Sequence, residues 1–404
     1  MNTIASWRLG GSKVLRLHEQ MIAEYTQGKA ELRSEGLAAL RADVRELLAS
    51  ESGSWSAGMR ARSWTRYDRS FSRKLGERGW IGMTWPRAYG GGERSAMERY
   101  TVIEELLAAG APVGAHWIAD RQSGPLLLHY GSQEQRRRWL PGICRGEITF
   151  CIGMSETEAG SDLASLRTRA TPSDGGWLLN GSKIWTTHAQ HADAMIALVR
   201  TDGQPADRQK GLSQMLIDLT LPGIGIRPIS DMTGARDFSE VSFQDVVLEA
   251  DALVGVRGEG WRQVTAELSL ERSGPERYLS SYVLIEELVG RAAATGDETL
   301  IAPLGTIIAE LWTLRTMSLA VTARIAAGED PAVAATIVKD MGNRFEQEIP
   351  RTVQAILDCD IRTDLAGDLG QALAVLLQLS PSFSLRGGTR EILRGIIARG
   401  LGLR

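Results

Sequence analysis

The spacing of apolar residues changes twice along this chain, and this change restricts the folds that the chain can adopt. Up to about residue 150, and again after about residue 255, apolar residues recur at the spacing of an amphipathic helix. Between these points lie short β-like runs bounded by Gly, Pro and Asn. The pattern predicts an α+β protein with an N-terminal helical domain (residues 1–150), a small middle β-sandwich or barrel domain (151–255) and a C-terminal helical domain (256–404).

The individual elements follow from the same periodicity. Helices are expected over 32–48, 64–75, 97–109, 124–130, 135–143, 261–290, 301–326, 331–358 and 371–379, and strands over 194–199, 212–219 and 240–248. The helix over 261–290 is expected to be interrupted near Gly274-Pro275, because proline removes a backbone hydrogen bond. Residues 1–30 are weakly patterned and are interpreted as a variable arm.

Composition and charge exclude several classes of protein. The chain has 404 residues, more than one ordinary core holds, and its 43% hydrophobic and 24% charged residues are typical of a soluble globular protein. A net charge of −3 speaks against nucleic-acid binding, and the short basic cluster Arg136–Arg138 fits a solvated helix face.

The cysteines and the apolar runs bear on location. Cys144, Cys151 and Cys359 show no metal-ligand spacing, which favours a reducing compartment over a disulfide scaffold. No signal peptide and no run of about eighteen apolar residues is apparent, so membrane insertion is not expected. The cytoplasm is the predicted location.

Two short stretches in the middle of the chain are candidates for a binding site. Met154–Thr168 is small, polar and acidic, and its Gly and Ser residues would let backbone N–H groups approach a ligand closely. A surface loop between domains is the alternative interpretation. Trp177–Thr187 predicts a β-hairpin with Asn180-Gly181 at its turn, which would place Trp185 and Thr187 on one face. A core Trp beside a solvent-facing Thr is the alternative there.

Together, the two stretches resemble the acyl-CoA dehydrogenase family. That family has a TEPGAGSD loop followed by an NGxKxWIT hairpin. Residues 155–162 read Ser-Glu-Thr-Glu-Ala-Gly-Ser-Asp here, and residues 180–187 read Asn-Gly-Ser-Lys-Ile-Trp-Thr-Thr. Order, spacing and chain length agree, and the resemblance covers nearly the whole chain. It implies a C-terminal four-helix bundle and FAD as the cofactor.

The resemblance also implies which residues contact the flavin. Ser155 would hydrogen-bond the pyrimidine edge and Ser161 would contact the pyrophosphate. Trp185 would flank the isoalloxazine, and the Thr187 hydroxyl would reach N5, which receives the hydride. The other implied contacts are Ile152, Met154, Gly160, Thr389 and Glu391. One departure is Thr157-Glu158 in place of Pro-Gly, which makes the loop less rigid and more acidic.

The catalytic base is expected on the helix before Gly274. Removing an α-proton from a thioester needs a carboxylate in a dry pocket. The family commonly keeps this glutamate in a YEGT segment, but the matching position here is Gly387. Some members place it just before an arginine on the earlier long helix, which matches Glu271. An ordinary surface or ion-paired carboxylate is the alternative for Glu271, and Arg272 matches a family arginine near the thioester pocket.

Two family motifs are missing. The RxxFG motif, whose arginine reaches a neighbouring subunit's flavin, is not seen near residues 291–300, and the QxxGG motif is absent before Pro381. Such losses resemble shorter bacterial members, some of which pair unlike subunits. They favour a rival hypothesis, a non-catalytic or flavin-sharing partner subunit of a heteromeric dehydrogenase. A flavin oxidase, monooxygenase or reductase on the same scaffold is a further alternative.

The leading hypothesis is therefore an FAD-dependent acyl-CoA dehydrogenase of fatty-acid or steroid side-chain catabolism. It would convert an acyl-CoA thioester to the trans-2-enoyl-CoA, and an electron-transfer flavoprotein would reoxidise the flavin. The family is usually a dimer of dimers, so a homo- or hetero-oligomeric tetramer is expected. No metal site is expected.

Overall fold

A computed structural model describes residues 35–358 and 367–403, without the side chains of residues 266–271. The predicted arm over 1–30, the predicted helix start at residue 32 and Cys359 lie outside the described residues. The chain divides into two compact units. A helical unit is drawn from within residues 1–64, 95–111 and 269–404, and a second unit comprises residues 65–94 and 112–268. The three-segment division stays a prediction.

The elements follow the predicted order of helices, then strands, then helices, and the α+β class is confirmed. The helices are α1 (Glu35–Glu51), α2 (Ala57–Arg60), α3 (Arg69–Glu77), α4 (Ala96–Ala108), α5 (Gly114–Ile118), α6 (Gly124–Tyr130), α7 (Gln133–Cys144), α8 (Gly260–Glu271), α9 (Tyr282–Thr295), α10 (Ile301–Ala326), α11 (Ala332–Leu357), α12 (Gly367–Leu379) and α13 (Arg390–Gly400). The strands are β1 (Phe150–Gly153), β2 (Arg169–Ser173), β3 (Gly176–Thr187), β4 (Ala194–Arg200), β5 (Leu212–Asp218), β6 (Ile224–Ile229), β7 (Phe238–Glu249) and β8 (Leu253–Val254).

Local signals explain where the helices of the helical unit begin and end. α1 buries the apolar stripe that predicted it, including Leu40, Val44 and Leu47. Ser95 and Glu98 form a reciprocal capping box at the start of α4. The predicted interruption near Gly274-Pro275 is confirmed, because α8 ends at Glu271 and a 3₁₀ turn over Pro275–Arg277 precedes α9.

Two helix predictions need correction. The helix predicted over 64–75 begins only at Arg69, because the carboxylate of Asp68 caps it by accepting a hydrogen bond from the N–H of Phe71 at 3.0 Å. The helix α13 was not predicted. It is only eleven residues long, and of its apolar residues Leu393 is the one it buries.

The second unit contains the β-sheet that the middle of the chain predicts. Its strands form one hydrogen-bonded network in the order β6-β7-β3-β2-β4-β5-β8, and β1 pairs in parallel with β4. One face packs a core of fully buried side chains, including Met195, Met215 and Ile217. On β1, Cys151 belongs to that core, so its neighbour Ile152 points to the opposite face.

The predicted hairpin at Asn180-Gly181 is wrong. The chain turns earlier, at Asp174-Gly175, where Ser173 pairs with Gly176 and Gly175 has a φ of +77°. β3 then runs unbroken through Asn180-Gly181 because it also pairs with β7, with a bulge at that point. The Asn180 side chain exchanges hydrogen bonds of 2.9 and 3.0 Å with Asp245 on β7. Tertiary pairing on the second edge of β3 therefore overrides the local turn signal.

One described helix is long and apolar enough to cross a membrane. The segment Glu298–Ala326, which contains α10, meets that test by length and composition, and 39% of its most apolar window is buried within the chain. A single helix of this kind is weak support for a membrane span, because core helices pass the same test.

Candidate functional site

The small polar stretch Met154–Thr168 forms a tightly folded loop directly after β1. Glu156 and Ala159 exchange two backbone hydrogen bonds of 3.0 and 3.1 Å, which closes a turn with Thr157 and Glu158 exposed at its tip. The departure from the family's Pro-Gly thus falls on this exposed tip. The carbonyl of Ser155 accepts a 2.9 Å hydrogen bond from the N–H of Ile184 on β3. The backbone of Ser155 is therefore tied next to Trp185.

A buried ion pair between β3 and the loop holds the loop in place. Lys183 on β3 is fully buried, and its ammonium donates to Glu156 Oε1 at 2.8 Å and to the carbonyl of Met154 at 3.1 Å. The Glu156 carboxylate also accepts from the N–H groups of Arg167 (2.7 Å) and Thr168 (2.9 Å). Both ends of the loop thus meet at one carboxylate. We call this arrangement of Glu156 and Lys183 the loop anchor.

Burial and pairing act in opposite directions on the loop anchor. Burial lowers the pKa of Lys183 to about 8, and the Glu156 carboxylate limits that fall by favouring the charged form. Burial raises the pKa of Glu156, but the Lys183 ammonium and the two backbone N–H donors outweigh it, and the pKa ends below its usual value. The pair is therefore charged at neutral pH.

Arg200 at the end of β4 fixes the other half of the loop. Its guanidinium, fully buried, donates to the carbonyls of Ala164 (3.1 Å) and Leu166 (3.3 Å). It also donates to the carbonyls of Arg208 (3.0 Å) and Lys210 (2.9 Å) in the β4–β5 connection. One side chain thus joins the candidate cofactor loop to a second loop. Neither Arg200 nor the loop anchor was predicted, because these contacts follow from no local sequence pattern. The Lys within the 180–187 motif was the one available signal.

Trp185 occupies an unusual backbone conformation at the far end of β3. The register with β7 shifts between Lys183 and Thr186, and Trp185 has a φ of +59°. For a bulky residue this is a strained conformation that the surrounding strands must impose. The bulge leaves the indole 58% exposed, edge-on to Phe238 at a centroid distance of 6.2 Å. Thr187, two residues on, is half-buried and pairs with Phe238.

The remaining predicted positions of this unit differ in exposure. Gly160 and Ser161 are exposed, and a side chain added at Gly160 would meet nothing within 4 Å. Met154 is half-buried against the apolar cluster that contains Ala159 and Leu166. Ile152 is also half-buried. The unit thus presents an accessible ring, small residues and several hydroxyls along one loop and one strand end, which fits the set of groups that the resemblance assigns to a flavin.

In the helical unit, Gly387 lies beside buried cations. It has a φ of +64°, and a Cβ there would lie 3.2 Å from Lys339 Nζ and 3.6 Å from an Arg277 guanidinium nitrogen. The buried Lys339 ammonium donates to the carbonyls of Arg386 and Gly388, the latter at 2.8 Å. A carboxylate at position 387 would be stabilised in its charged form, which lowers its basicity. This setting disfavours position 387 as a site for a base.

The predicted positions in the helical unit are only partly described. Glu271 is the last residue of α8, and its side chain lies outside the described part of the chain. Arg272, the next residue, is 6% exposed. Thr389 is the N-cap residue of α13, and Glu391 is exposed in its first turn. Hydrogen bonds from the Glu391 backbone and the Thr389 hydroxyl lower the pKa of Glu391, so the structure brings these two residues together.

Glu346 on α11 is a buried carboxylate that was not predicted from the sequence. It is 1% exposed, and burial raises its pKa despite the nearby Arg386 guanidinium at 3.4 Å. A raised carboxylate pKa is one mark of proton-transfer chemistry. The N–H of Ser280 donates to its carboxylate at 2.8 Å, however, and this hydrogen bond with the Arg386 pair fits a structural role.

Models of known families match more than half of this chain. The N-terminal domain of acyl-CoA dehydrogenase matches residues 34–147, and the middle domain matches residues 151–246. Acyl-CoA dehydrogenase IpdE1 of Mycobacterium tuberculosis is 33% identical over 346 residues, which cover 83% of this chain and 88% of that protein. Acyl-CoA dehydrogenase FadE34 of the same organism is 33% identical over 332 residues, but this chain spans only 45% of its length.

Solved structures of the same fold cover almost the whole chain. The Tcur3481-Tcur3483 steroid ACAD superimposes with a TM-score of 0.81 at 28% identity and covers 92% of this chain and 98% of its own. The ChsE4-ChsE5 complex from Mycobacterium tuberculosis gives a TM-score of 0.79 at 27% identity, again with 92% and 98% coverage.

Proposed function

This chain belongs to the acyl-CoA dehydrogenase family, and from that premise we propose that it is an FAD-dependent dehydrogenase of acyl-CoA thioesters. It removes the α-proton and the β-hydride of an acyl-CoA and yields the trans-2-enoyl-CoA. The observation that best supports this proposal is the strained, exposed Trp185 at the β3 bulge. Backbone strain that keeps a large ring exposed is expected to serve a function, and stacking on a planar ligand is the function that suits an indole.

The chain's own residues divide the work between cofactor and substrate. FAD, when bound, accepts the hydride at N5. Trp185, Thr187, Ser155 and Ser161 would hold the flavin, with Ile152, Met154 and Gly160 as further contacts. Thr389 and Glu391 in the helical unit are proposed separately as residues that would contact a flavin. The loop anchor and Arg200 keep the loop that bears Ser155 and Ser161 in one conformation.

The acid–base step is assigned to the end of α8. Glu271 takes the α-proton, since the other position that the family uses is Gly387, which has no side chain to accept a proton. Arg272 directly follows it and is proposed to contact the substrate near the thioester. One similar structure is that of a steroid ACAD, and on that likeness we propose a bulky acyl group for the substrate. An electron-transfer flavoprotein is the proposed electron acceptor.

A second candidate function is a partner subunit of a heteromeric dehydrogenase. Two observations favour it: the RxxFG and QxxGG motifs are missing from their expected positions, and relatives were solved as the ChsE4-ChsE5 and Tcur3481-Tcur3483 assemblies. In that case this chain would share a flavin site with another chain in a tetramer. A cytoplasmic location is proposed in both cases.

The visible absorption spectrum of the protein purified alone is the first test. A bound-flavin spectrum that bleaches with an acyl-CoA under anaerobic conditions supports the dehydrogenase. A colourless protein that does not take up FAD, but gains a flavin spectrum when co-purified with a second chain, supports the partner subunit. Rapid oxygen uptake during turnover would point to an oxidase or monooxygenase.

Glu271→Gln tests the assigned base separately. The variant is expected to keep flavin but to lose bleaching by at least about a hundredfold in rate, since general-base catalysis typically contributes that much. Glu348→Gln, an exposed carboxylate on α11, is the matched control. Full bleaching by Glu271→Gln would remove Glu271 from the mechanism.

A further inference from the structure

One side of α10 is both exposed and apolar over the first half of the helix. Eight residues between 301 and 313, a stretch that the structure describes throughout, are exposed, and none of the eight is charged. The three largest are Ile301 (64% exposed), Ile308 (45%) and Trp312 (59%). Glu310, the charged residue of this stretch, pairs with Arg344 on α11 at 2.9 Å. A surface helix normally carries charged residues on its solvent side, so another molecule is expected to cover this face.

The residues along this side of the helix follow a symmetrical spacing. The helix is continuous from Glu298, and steps of three, four, three, four and three residues keep to one side of it. The residues at these steps are Glu298, Ile301, Gly305, Ile308, Trp312 and Arg315. We call these six residues the α10 stripe. Because the spacing is the same in both directions, a second α10 stripe can lie against it antiparallel with its residues in matching positions.

Gly305 has a neighbour to accommodate only in such a pair. A Cβ added at Gly305 would meet nothing within 4 Å in the described part of its own chain. Glycine inside a helix is destabilising relative to alanine, so a packing reason is expected for it. In the antiparallel arrangement Gly305 lies opposite the partner's Ile308. The small residue of each copy thus receives a large residue of the other.

The charges at the two ends of the α10 stripe are complementary in the same arrangement. Glu298 is exposed at the start, and Arg315 at the end keeps 24% of its side chain exposed while its guanidinium binds Glu104. Antiparallel packing places Glu298 opposite the partner's Arg315, and it does so twice, once at each end. The macrodipoles of two antiparallel helices are also opposed, which favours the pair.

We propose that the α10 stripe is a docking surface for a second copy of this chain, packed antiparallel about a two-fold axis that passes between residues 306 and 307. The contact is isologous, so each copy presents the same residues to the other. An unlike subunit would need its own complementary stripe, whereas this chain already supplies one. The inference goes beyond the proposed function and does not depend on flavin or on Glu271.

Ile308→Glu and Trp312→Glu test this surface by sedimentation equilibrium of the whole chain. Both side chains are exposed, so the fold of the subunit is expected to survive, which circular dichroism checks. The dissociation constant between the two copies is expected to rise at least about thirtyfold, as for a typical interface residue that dominates binding. The mass should fall to half that of wild type. Leu403→Glu, at another exposed apolar residue, is the matched control and should keep the wild-type mass.

Cysteine cross-linking tests the antiparallel arrangement. Ile301→Cys and Trp312→Cys, each in a Cys359→Ser background, are co-expressed with different tags and oxidised. Residue 301 of one copy lies opposite residue 312 of the other, so the mixed disulfide is expected to form. Each variant alone should remain uncross-linked, because its two cysteines would lie about 16 Å apart along the helix axis, too far for a disulfide. The native Cys144 and Cys151 are buried and should not compete.

Four results would overturn the inference. An unchanged mass in both glutamate variants would show that the α10 stripe holds no second copy. A disulfide in Ile301→Cys alone would show a parallel pair. A wild type that pairs only with an unlike chain would assign the surface to that chain. Binding of wild type, but not of Trp312→Glu, to phosphatidylglycerol vesicles would assign it to a lipid surface. No readout here uses flavin or turnover, so failure of the proposed dehydrogenase reaction is distinguishable from failure of this inference.

Discussion

The two units each use a buried lysine to hold a loop of the candidate site, but they surround it differently. Lys183 in the second unit meets a carboxylate, Glu156, which itself collects two backbone N–H groups. Lys339 in the helical unit donates to two backbone carbonyls on either side of Gly387. The Lys183 ammonium completes an ion pair, whereas the Lys339 ammonium places a positive charge beside Gly387. The comparison suggests that the second unit uses its lysine to hold a candidate cofactor loop, while the helical unit uses its lysine to hold the backbone around Gly387.

The largest effect on stability is expected from Lys183→Met, which removes the ion pair between Lys183 and Glu156. The change leaves the Glu156 carboxylate buried without its cation, which typically costs about 3–5 kcal/mol of unfolding free energy. Chemical denaturation of the variant measures this loss. Lys210→Met, at an exposed lysine, is the control. Adding Glu156→Gln should restore much of the stability, and a double variant as unstable as the single one would argue against the ion pair as the cause.

Lys339→Met tests the other lysine and is expected to cost less. The two carbonyls around Gly387 lose a charged donor, at about 1–3 kcal/mol of unfolding free energy. Denaturation of this variant against Arg351→Met, an exposed cation on the same helix, isolates the effect. A loss as large as that of Lys183→Met would show that the two lysines are equivalent.

Acid titration tests the ion pair separately, because the partner of Lys183 is a carboxylate that itself titrates. The folded-state pKa of Glu156 lies below its ordinary value of 4.5, so the unfolded chain binds its proton first as pH falls. Its contribution to stability is therefore present above pH 4.5 and is lost as pH falls through the lower, folded-state pKa. Denaturation curves from pH 7 to 3 measure this loss. Wild type and Glu156→Gln should converge towards low pH, and parallel curves would contradict the assignment.

The smallest effect on stability is expected at Trp185. Its indole is exposed, so Trp185→Ala should change the unfolding free energy by no more than about 0.5 kcal/mol. Flavin uptake should nevertheless weaken strongly, as measured by absorbance after incubation with FAD. A variant that binds FAD as well as wild type would remove Trp185 from the proposed site.

The sequence predicted most of what depends on local pattern and little of what depends on distant pairing. α10 agrees with its prediction at both ends, and α11 within one residue, because long apolar periodicities and their breaks are local. The Asn180-Gly181 hairpin failed because β7, more than fifty residues away in the chain, pairs with the second edge of β3. The same reason explains why the loop anchor, Arg200 and the cations beside Gly387 were not predicted: each joins segments that only the fold brings together.

The four carbonyls bound by Arg200 limit how this chain can change over evolution. The β4–β5 connection looks like an ordinary exposed turn, the kind of place where homologous proteins usually tolerate insertions and deletions. Here two of its carbonyls, at Arg208 and Lys210, share one guanidinium with Ala164 and Leu166. A change in the length of that turn would shift the guanidinium away from the loop that bears Ser161. Length variation at this turn is thus expected to be selected against for the sake of a binding loop some forty residues earlier in the chain.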